Sequence, residues 1–185
     1  LFLGRTDEDL EKAMLAGVKA QRAQVSGNIK FDLSPSLMDS QFVSKLKEMT
    51  GVGPGTKVIT AGSTHPGEEE MLLEAFRVLA AEFDGLKLII APRHPERFTE
   101  VEGLIKKSGL NFSRRSKGGS ADVVLLDSIG ELMTVYSFSD IAVVGGSLVP
   151  GIGGHNLLEP AYFGKPVVYG SHLTTYLGMA ELLEN

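Results

Sequence analysis

The sequence predicts an α/β fold in which a mainly parallel sheet carries helices on both faces. Apolar, usually β-branched runs recur along the chain, and each ends in a short polar or glycine-rich corner that gives way to a helical pattern. Such alternation of strand and helix is typical of right-handed crossovers between parallel strands. The six predicted strands cover residues 25–33, 57–62, 86–91, 121–126, 140–144 and 166–169.

The helices are predicted from apolar stripes and from residues that start or stop a helix. Thr6 suits the N-cap of a first helix over 7–18, and a continuous apolar stripe runs along residues 68–83. Pro95 suits the first turn of a further helix, which Gly109 ends. Other helices are predicted before Gly51, near 129–138 and near 157–163, and a basic, glycine- and serine-rich loop at 111–120.

Composition limits the classes of function. With 185 residues and 43% hydrophobic content, the chain can bury one sizeable core. Its net charge of −5 argues against a surface that binds nucleic acid through phosphates. The absence of cysteine excludes disulfides, thiolate metal sites and a cysteine nucleophile, and no apolar run approaches the roughly 20 residues of a membrane span. We therefore expect a soluble piece and, because the chain starts at Leu1 and stops at Asn185 within a helical pattern, an excised domain.

The corner with the most candidate binding residues follows the fifth predicted strand, at residues 145–160. Its glycines, including Gly153 and Gly154, allow close approach of a ligand to the backbone, and the N–H groups of the following helix favour an anion such as phosphate. The alternative is that Asn156 and Glu159 form a capping box that only closes the helix end. The glycine pattern is not GxGxxG, so a dinucleotide fingerprint is rejected.

Two other corners carry charge after a strand. Three consecutive glutamates in 63–70 would repel an anion, so we favour a structural role there, with His65 in a domain interface. Arg93 directly follows a strand, where its guanidinium can meet phosphate or carboxylate, although an exposed surface arginine is the alternative. Arg97 is expected to be solvated or to pair with Glu100.

The remaining candidates are weaker. Ser128 and Glu131 have the spacing of a capping box, with Gly130 between them allowing a flat base to approach. Lys30 lies in a strand-like stretch, where a surface lysine is the alternative. The four histidines stand on separate corners without an HxH or HExxH pair, so we expect no metal site. There is also no Gly-x-Ser-x-Gly elbow and no Walker loop.

Five motifs in order carry a resemblance that extends from about residue 5 to the end of the chain. They begin with GNIKFD, which contains Lys30, and AGSTH, which contains His65. Together they resemble the 3-deoxy-D-manno-octulosonic acid (Kdo) transferase family. The five motifs are residues 27–32, 61–65, 91–98, 127–132 and 145–160.

This resemblance implies the C-terminal, Rossmann-like half of a GT-B glycosyltransferase. Residues 1–24 would then be a helix and connection from the acceptor domain, and residues 25–185 a nucleotide-sugar-binding domain truncated at its C-terminus. The family implies inverting transfer of Kdo from CMP-Kdo to a lipid A precursor (lipid IVA) in lipopolysaccharide biosynthesis, without a metal or cofactor. The full-length enzyme would lie on the cytoplasmic face of the bacterial inner membrane. Its general base would lie in the other domain, so we expect the fragment alone to be inactive.

The family's functional residues map onto three of the motifs and onto Lys30. The resemblance implies that Lys30 stabilises the transition state and that the Gly153–His155 segment (Gly153, Gly154 and His155) supports the donor site. The residues implied to bind CMP are Pro92, Arg93, Gly130, Glu131, Leu132, Asn156, Leu157, Leu158 and Glu159.

Two alternatives remain open. One is a GT-B transferase or epimerase domain that uses a UDP-sugar, which would bring a diphosphate to the same corners. The other is a non-catalytic α/β binding module, in which the glycine-rich corner is only a tight turn.

Overall fold

The computed structural model describes residues 1–27 and 38–184 and divides into two compact units, Leu1–Ser36 and Leu37–Asn185. In the first unit, β1 (Phe2–Gly4) and β2 (Ala23–Val25) form a parallel pair, with α1 (Asp7–Leu15) between them in the chain. Thr6 caps α1 as predicted, because its hydroxyl accepts the Asp9 N–H at 3.2 Å. The domain boundary predicted after residue 24 falls within β2, and the two units divide later, after residue 36.

The described part of the second unit contains one six-stranded sheet in which all neighbours are parallel. The spatial order of its strands is β5-β6-β4-β3-β7-β8. The strands are β3 (Lys57–Thr64), β4 (Leu86–Pro92), β5 (Phe112–Arg114), β6 (Val123–Leu125), β7 (Ile141–Val144) and β8 (Val167–Val168). The helices are α2 (Ser40–Met49), α3 (Glu68–Ala80), α4 (Phe98–Ser108), α5 (Leu132–Phe138), α6 (Leu158–Tyr162) and α7 (Leu177–Glu184).

Side chains that alternate along the strands pack against helices on opposite faces of the sheet. Leu88 and Ile90 of β4 belong to the core that includes Phe76 of α3 and Ile105 of α4. Ile89, between them, belongs instead to the core with helices α2 and α5. This alternation follows from the two-residue period of a strand, and it confirms the predicted α/β sheet with helices on both faces.

The sequence prediction is wrong for one strand and untested over most of another. Residues 112–114 form an edge strand of the sheet rather than part of a loop, and Arg114 in that strand pairs with Glu102 of α4. The predicted strand at 25–33 lies mostly outside the described residues: residues 23–25 form the strand that pairs with β1 in the first unit, and 28–33 are not described.

The order of the strands fixes where a ligand is expected. From β3 the chain adds β4, β5 and β6 on one side, and it then returns to place β7 and β8 on the other side. The winding therefore reverses between β3 and β7. In open α/β sheets, ligands bind at the carboxyl ends of the strands beside such a switch point. Those ends are Thr64 of β3 and Val144 of β7.

Candidate functional site

A cleft of about 330 Å³ lies at this switch point. It is lined by residues from the ends of β3, β4 and β7 and from the corners after β4, β6 and β7. Apolar wall groups include Pro92, Phe98, Leu132 and Tyr136. The polar residues that line the cleft are Ser63, Arg93, Ser128, His155, Asn156 and Glu159. A mixed apolar and polar lining of this kind suits a flat base with attached polar groups.

The backbone turns sharply where β3 enters the cleft. Ser63 has φ of 56°, in the left-handed region that non-glycine residues seldom adopt. The pairing of β3 with β4 also shifts register between Gly62 and Thr64. A bulge and a strained residue at a strand end are features that occur next to functional sites.

Arg93 brings a positive charge to the cleft. Its backbone N–H donates to the carbonyl of Thr64 at 3.0 Å, which fixes the corner after β4 against the end of β3. Its side chain is exposed, and within residues 1–27 and 38–184 it has no ion pair or side-chain hydrogen bond. The guanidinium is therefore available to an anionic ligand.

Asn156 and Glu159 combine a local structural contact with exposure to the cleft. Asn156 Oδ1 accepts the Leu158 N–H at 3.1 Å, and Asn156 Nδ2 donates to Glu159 Oε1 at 3.2 Å. Burial raises the pKa of Glu159, while the Asn156 hydrogen bond and the charge of Arg93 act in the opposite direction. Glu159 thus presents a partly buried acceptor beside Arg93.

The other residues that the sequence analysis assigned to this corner have different surroundings. Leu157 is fully buried in the core around Val144, and Leu158 packs against the same core. The Gly154 N–H donates to the carbonyl of Gly146 at 2.7 Å, so it is not free for a ligand. A Cβ on Gly153 would come within 2.5 Å of the Thr174 hydroxyl, which shows that Gly153 permits close packing of the loop. None of these four residues lines the cleft.

The corner after β6 is held by Glu131. Its carboxylate accepts hydrogen bonds from the Ser128 hydroxyl and from the guanidinium of Arg115. The contact between Ser128 and Glu131 joins two side chains. It therefore differs from the predicted capping box, in which side chains bond to backbone N–H groups. Gly130 and Leu132 line the cleft. Glu131 is buried and does not line it, and its carboxylate instead holds the corner in place.

Three of the four histidines meet beside the cleft, although the sequence analysis placed them on separate corners. His65 Nε2 lies 2.7 Å from His155 Nε2, with the two rings nearly parallel at 10°. The His94 ring stands edge-on to His65, with 5.6 Å between centroids. Burial lowers the pKa of His65. Burial, aided by His65 and Arg93, lowers the pKa of His155 to about 4.

The acidic corner at 63–70 has a structural role, as predicted. Glu68 is fully buried and accepts three backbone N–H groups, from His65 at 2.9 Å, Gly146 at 2.8 Å and Leu148 at 2.9 Å. It therefore ties the corner after β3 to the corner after β7 across the switch point. Glu69 is also buried and pairs with Arg97 at 2.7 Å.

Arg97 differs in part from its prediction. It pairs with Glu100 at 2.9 Å as expected, but it is buried rather than solvated. Its second partner, the buried Glu69, explains this burial.

Sequence reasoning missed several lining residues. Ser63 was assigned to a structural corner, Phe98 only to the helix that Pro95 begins, and Tyr136 and Tyr176 to no site. The one signal that could have pointed to Tyr136 is Gly62 in β3: a Cβ there would lie 1.9 Å from the Tyr136 hydroxyl. A glycine inside a strand often marks such a close approach.

The chain is similar to curated proteins and to solved structures. No protein-family model matches the chain. It is 42% identical to the 3-deoxy-D-manno-octulosonic acid transferase of Haemophilus influenzae over 84% of the chain and 37% of that protein. It is 38% identical to the enzyme of the same name from Aquifex aeolicus, over 100% of the chain and 47% of that protein. The C-terminal CMP-Kdo binding domain of WaaA from Acinetobacter baumannii superposes with a TM-score of 0.70 at 36% identity, over 76% of this chain and 75% of that one.

The chain belongs to the Kdo transferase family. It spans between 28% and 47% of the length of the curated relatives it matches. Its fold is that of GT-B glycosyltransferases, which Anabaena HepE in complex with UDP and glucose shares at a TM-score of 0.54 and 18% identity. At that identity the likeness concerns the fold alone.

Two further observations concern this Kdo transferase domain. Lys30, the predicted transition-state residue, lies outside the described residues. Within the described ranges, no helix is both long and apolar enough to cross a membrane, and no group of three or more His, Asp or Glu side chains is arranged to hold a metal ion.

Proposed function

We propose that this chain is the donor-binding domain of an enzyme that transfers Kdo from CMP-Kdo to a lipid A precursor in lipopolysaccharide biosynthesis. The observation that carries the proposal is the meeting of Arg93, Asn156 and Glu159 in one cleft at the switch point. These residues come from two distant motifs, and the chain resembles a CMP-Kdo binding domain over three quarters of its length.

The chemistry of the cleft fits a nucleoside monophosphate that carries an acidic sugar. The guanidinium of Arg93, which is unpaired among the described residues, supplies a charge-assisted donor for the phosphate. Glu159 supplies an acceptor for ribose hydroxyls, and Asn156 orients it through their 3.2 Å contact. Pro92, Leu132 and the exposed backbone at Gly130 form the wall on which the cytosine ring would lie.

The proposed reaction needs positive charge more in the transition state than in the ground state. When the bond to CMP breaks, negative charge grows on the phosphate while the sugar becomes cationic at its reacting carbon. A preorganised guanidinium near the phosphate then stabilises the transition state selectively. We assign this role to Arg93 and, from the family resemblance, to Lys30.

The remaining parts of the proposal concern the whole protein. We infer inverting transfer that requires no metal or cofactor, with the general base supplied by a separate acceptor domain. The lipid A precursor would bind through that domain, on the cytoplasmic face of the inner membrane. The isolated chain is accordingly expected to bind CMP but to transfer no Kdo, and transfer by the isolated chain would contradict this division of labour.

The choice of nucleotide gives the most direct test. We expect CMP at 100 times its dissociation constant to stabilise the chain by about 2.7 kcal/mol and to raise its melting temperature by roughly 5 to 10 °C. UDP at the same concentration should have a smaller effect, measured by differential scanning fluorimetry. Tighter binding of UDP would favour the UDP-sugar alternative, and no shift with either nucleotide would favour a non-catalytic module.

Replacing Arg93 tests the phosphate contact. We expect Arg93→Ala to weaken CMP binding by about 1–3 kcal/mol, because a charge-assisted hydrogen bond to phosphate is lost. Isothermal titration calorimetry measures the change. Arg77→Ala, which removes an exposed arginine of α3 that does not line the cleft, is the matched control. Equal CMP affinities for the two variants would show that Arg93 is a surface residue without a phosphate contact.

A further inference from the structure

The contact between His65 and His155 requires an unequal sharing of protons. Their Nε2 atoms are 2.7 Å apart, a hydrogen-bond distance. A neutral imidazole carries one N–H and one bare nitrogen, and a hydrogen bond at this distance requires that one Nε2 atom carry a proton and the other be bare. Whichever ring accepts at Nε2 must hold its own proton on Nδ1. The contact therefore couples the tautomer of one ring to that of the other.

The surroundings of His155 leave one ring nitrogen for a ligand. A Cβ on Gly146 would lie 3.0 Å from His155 Cδ2 and 3.2 Å from its Nε2, so this ring edge faces Gly146 and His65. Nδ1 lies on the opposite side of the ring, and it has no hydrogen bond within the described parts of the chain. His155 lines the same cleft as Arg93, whose positive charge acts on the His155 ring.

We propose that, in the nucleotide-bound state, His155 donates its Nδ1–H to the phosphate that Arg93 also contacts, and His65 donates its Nε2–H to His155 Nε2. His65 is then a positioning residue that does not touch the ligand. It holds His155 in the tautomer with the proton on Nδ1. This inference rests on the proposed function, because it takes the phosphate of CMP-Kdo as the ligand group.

The charges around the pair favour two neutral imidazole rings over an imidazolium. We call this neutral pair, with His65 donating to His155 and His155 donating to the phosphate, the histidine relay. Burial opposes protonation of both rings, and the cations Arg93 and Arg97, together with His94, oppose it further. Glu68 and Glu69 act in the opposite direction. Both carboxylates are already engaged, however, Glu68 by three backbone N–H groups and Glu69 by Arg97. With both rings neutral, the direction of the Nε2 hydrogen bond decides whether His155 can donate to phosphate.

Four variants separate this role from a merely structural one. We expect His155→Leu to weaken CMP binding about 10- to 100-fold, as for a lost charge-assisted hydrogen bond, and His65→Leu about 2- to 12-fold, as for a lost neutral one. His65→Gln keeps an N–H donor near the position of Nε2, and it should recover most of the lost affinity. His172→Gln is the matched control, since His172 lies outside the cleft lining. Cytidine, which lacks the phosphate, should bind all four variants as it binds the unaltered chain.

The tautomer itself has a spectroscopic signature. In the CMP complex, two-dimensional ¹H–¹⁵N spectra of the imidazoles should show His155 protonated at Nδ1 and bare at Nε2, and His65→Leu should remove that preference. Protonation of His155 at Nε2 in the complex would overturn the inference. So would uptake of one proton per CMP, measured by calorimetry in two buffers of different ionisation enthalpy.

The affinities also distinguish failure of this inference from failure of the proposed function on which it rests. If CMP binds and the two leucine variants bind it as tightly as the control, only the histidine relay is overturned. If neither CMP nor cytidine binds the unaltered chain, the proposed function fails and the relay fails with it.

Discussion

Replacing Glu68 by alanine is expected to lower the free energy of unfolding by about 3–5 kcal/mol, because three buried N–H groups would lose their acceptor. Glu68 is 0% exposed, and its two carboxylate oxygens accept from His65, Gly146 and Leu148. The carboxylate joins these two corners across the switch point. Urea unfolding followed by circular dichroism at pH 7 measures the loss.

Two neighbouring substitutions sharpen this test. Glu68→Gln keeps one oxygen, which can serve His65 and Gly146 as Oε2 does, but it turns an NH₂ group toward the Leu148 N–H. We therefore expect an intermediate loss of stability. Glu70→Ala removes an exposed carboxylate from the same helical turn, so it controls for the interaction with the helix dipole. A loss for Glu68→Ala no larger than that for Glu70→Ala would contradict the structural role.

The sequence predicts the sheet well where strands are apolar and β-branched. The central strands β3, β4 and β7 lie within one residue of their predicted bounds, apart from the extension of β3 by two residues, Ser63 and Thr64. The edge strand β5 escapes prediction because its residues include Ser113 and Arg114, which give it the composition of a loop. Its place in the sheet is determined by pairing with β6, which no local pattern records.

The candidate site is predictable in its corners but not in its contacts. Arg93 could be assigned because it follows a strand, and the parallel topology brings all such corners to one edge. The sequence could not show that the Gly154 N–H already donates to Gly146, or that Leu157 faces the core. Nor could it show which glutamate of the acidic corner remains exposed.

The histidine cluster illustrates the same limit. His65 and His155 are 90 residues apart in the chain, yet their rings are in contact. Their common edge of the sheet follows from the strand pattern. Their contact follows from the strand order, which places β3 directly beside β7, and from the buried carboxylate that joins the two corners.

Gly62→Ala is expected to destabilise the chain by about 2–4 kcal/mol, since the added methyl overpacks a buried site. The new Cβ would lie 1.9 Å from the Tyr136 hydroxyl oxygen, 2.8 Å from Tyr136 Cζ and 3.0 Å from Leu132 Cδ2. Gly62 does not have a positive φ, so the cost arises from these contacts and not from the backbone. Tyr136 and Leu132 both line the cleft, and their displacement should also weaken CMP binding.

A second substitution and a matched glycine identify the cause of this loss. Tyr136→Phe removes the oxygen but leaves Cζ at 2.8 Å, so the double variant Gly62→Ala/Tyr136→Phe should recover only part of the stability. In a double-mutant cycle, that recovery appears as a coupling energy of about 0.5–3 kcal/mol between the two sites. Gly103→Ala lies in α4, where an added Cβ would meet no described atom within 4 Å apart from its chain neighbours and its own helix backbone, and it should instead stabilise the chain by about 0.5–1 kcal/mol. If Gly62→Ala and Gly103→Ala change the urea midpoint in the same direction, Gly62 is not required to leave room for Tyr136.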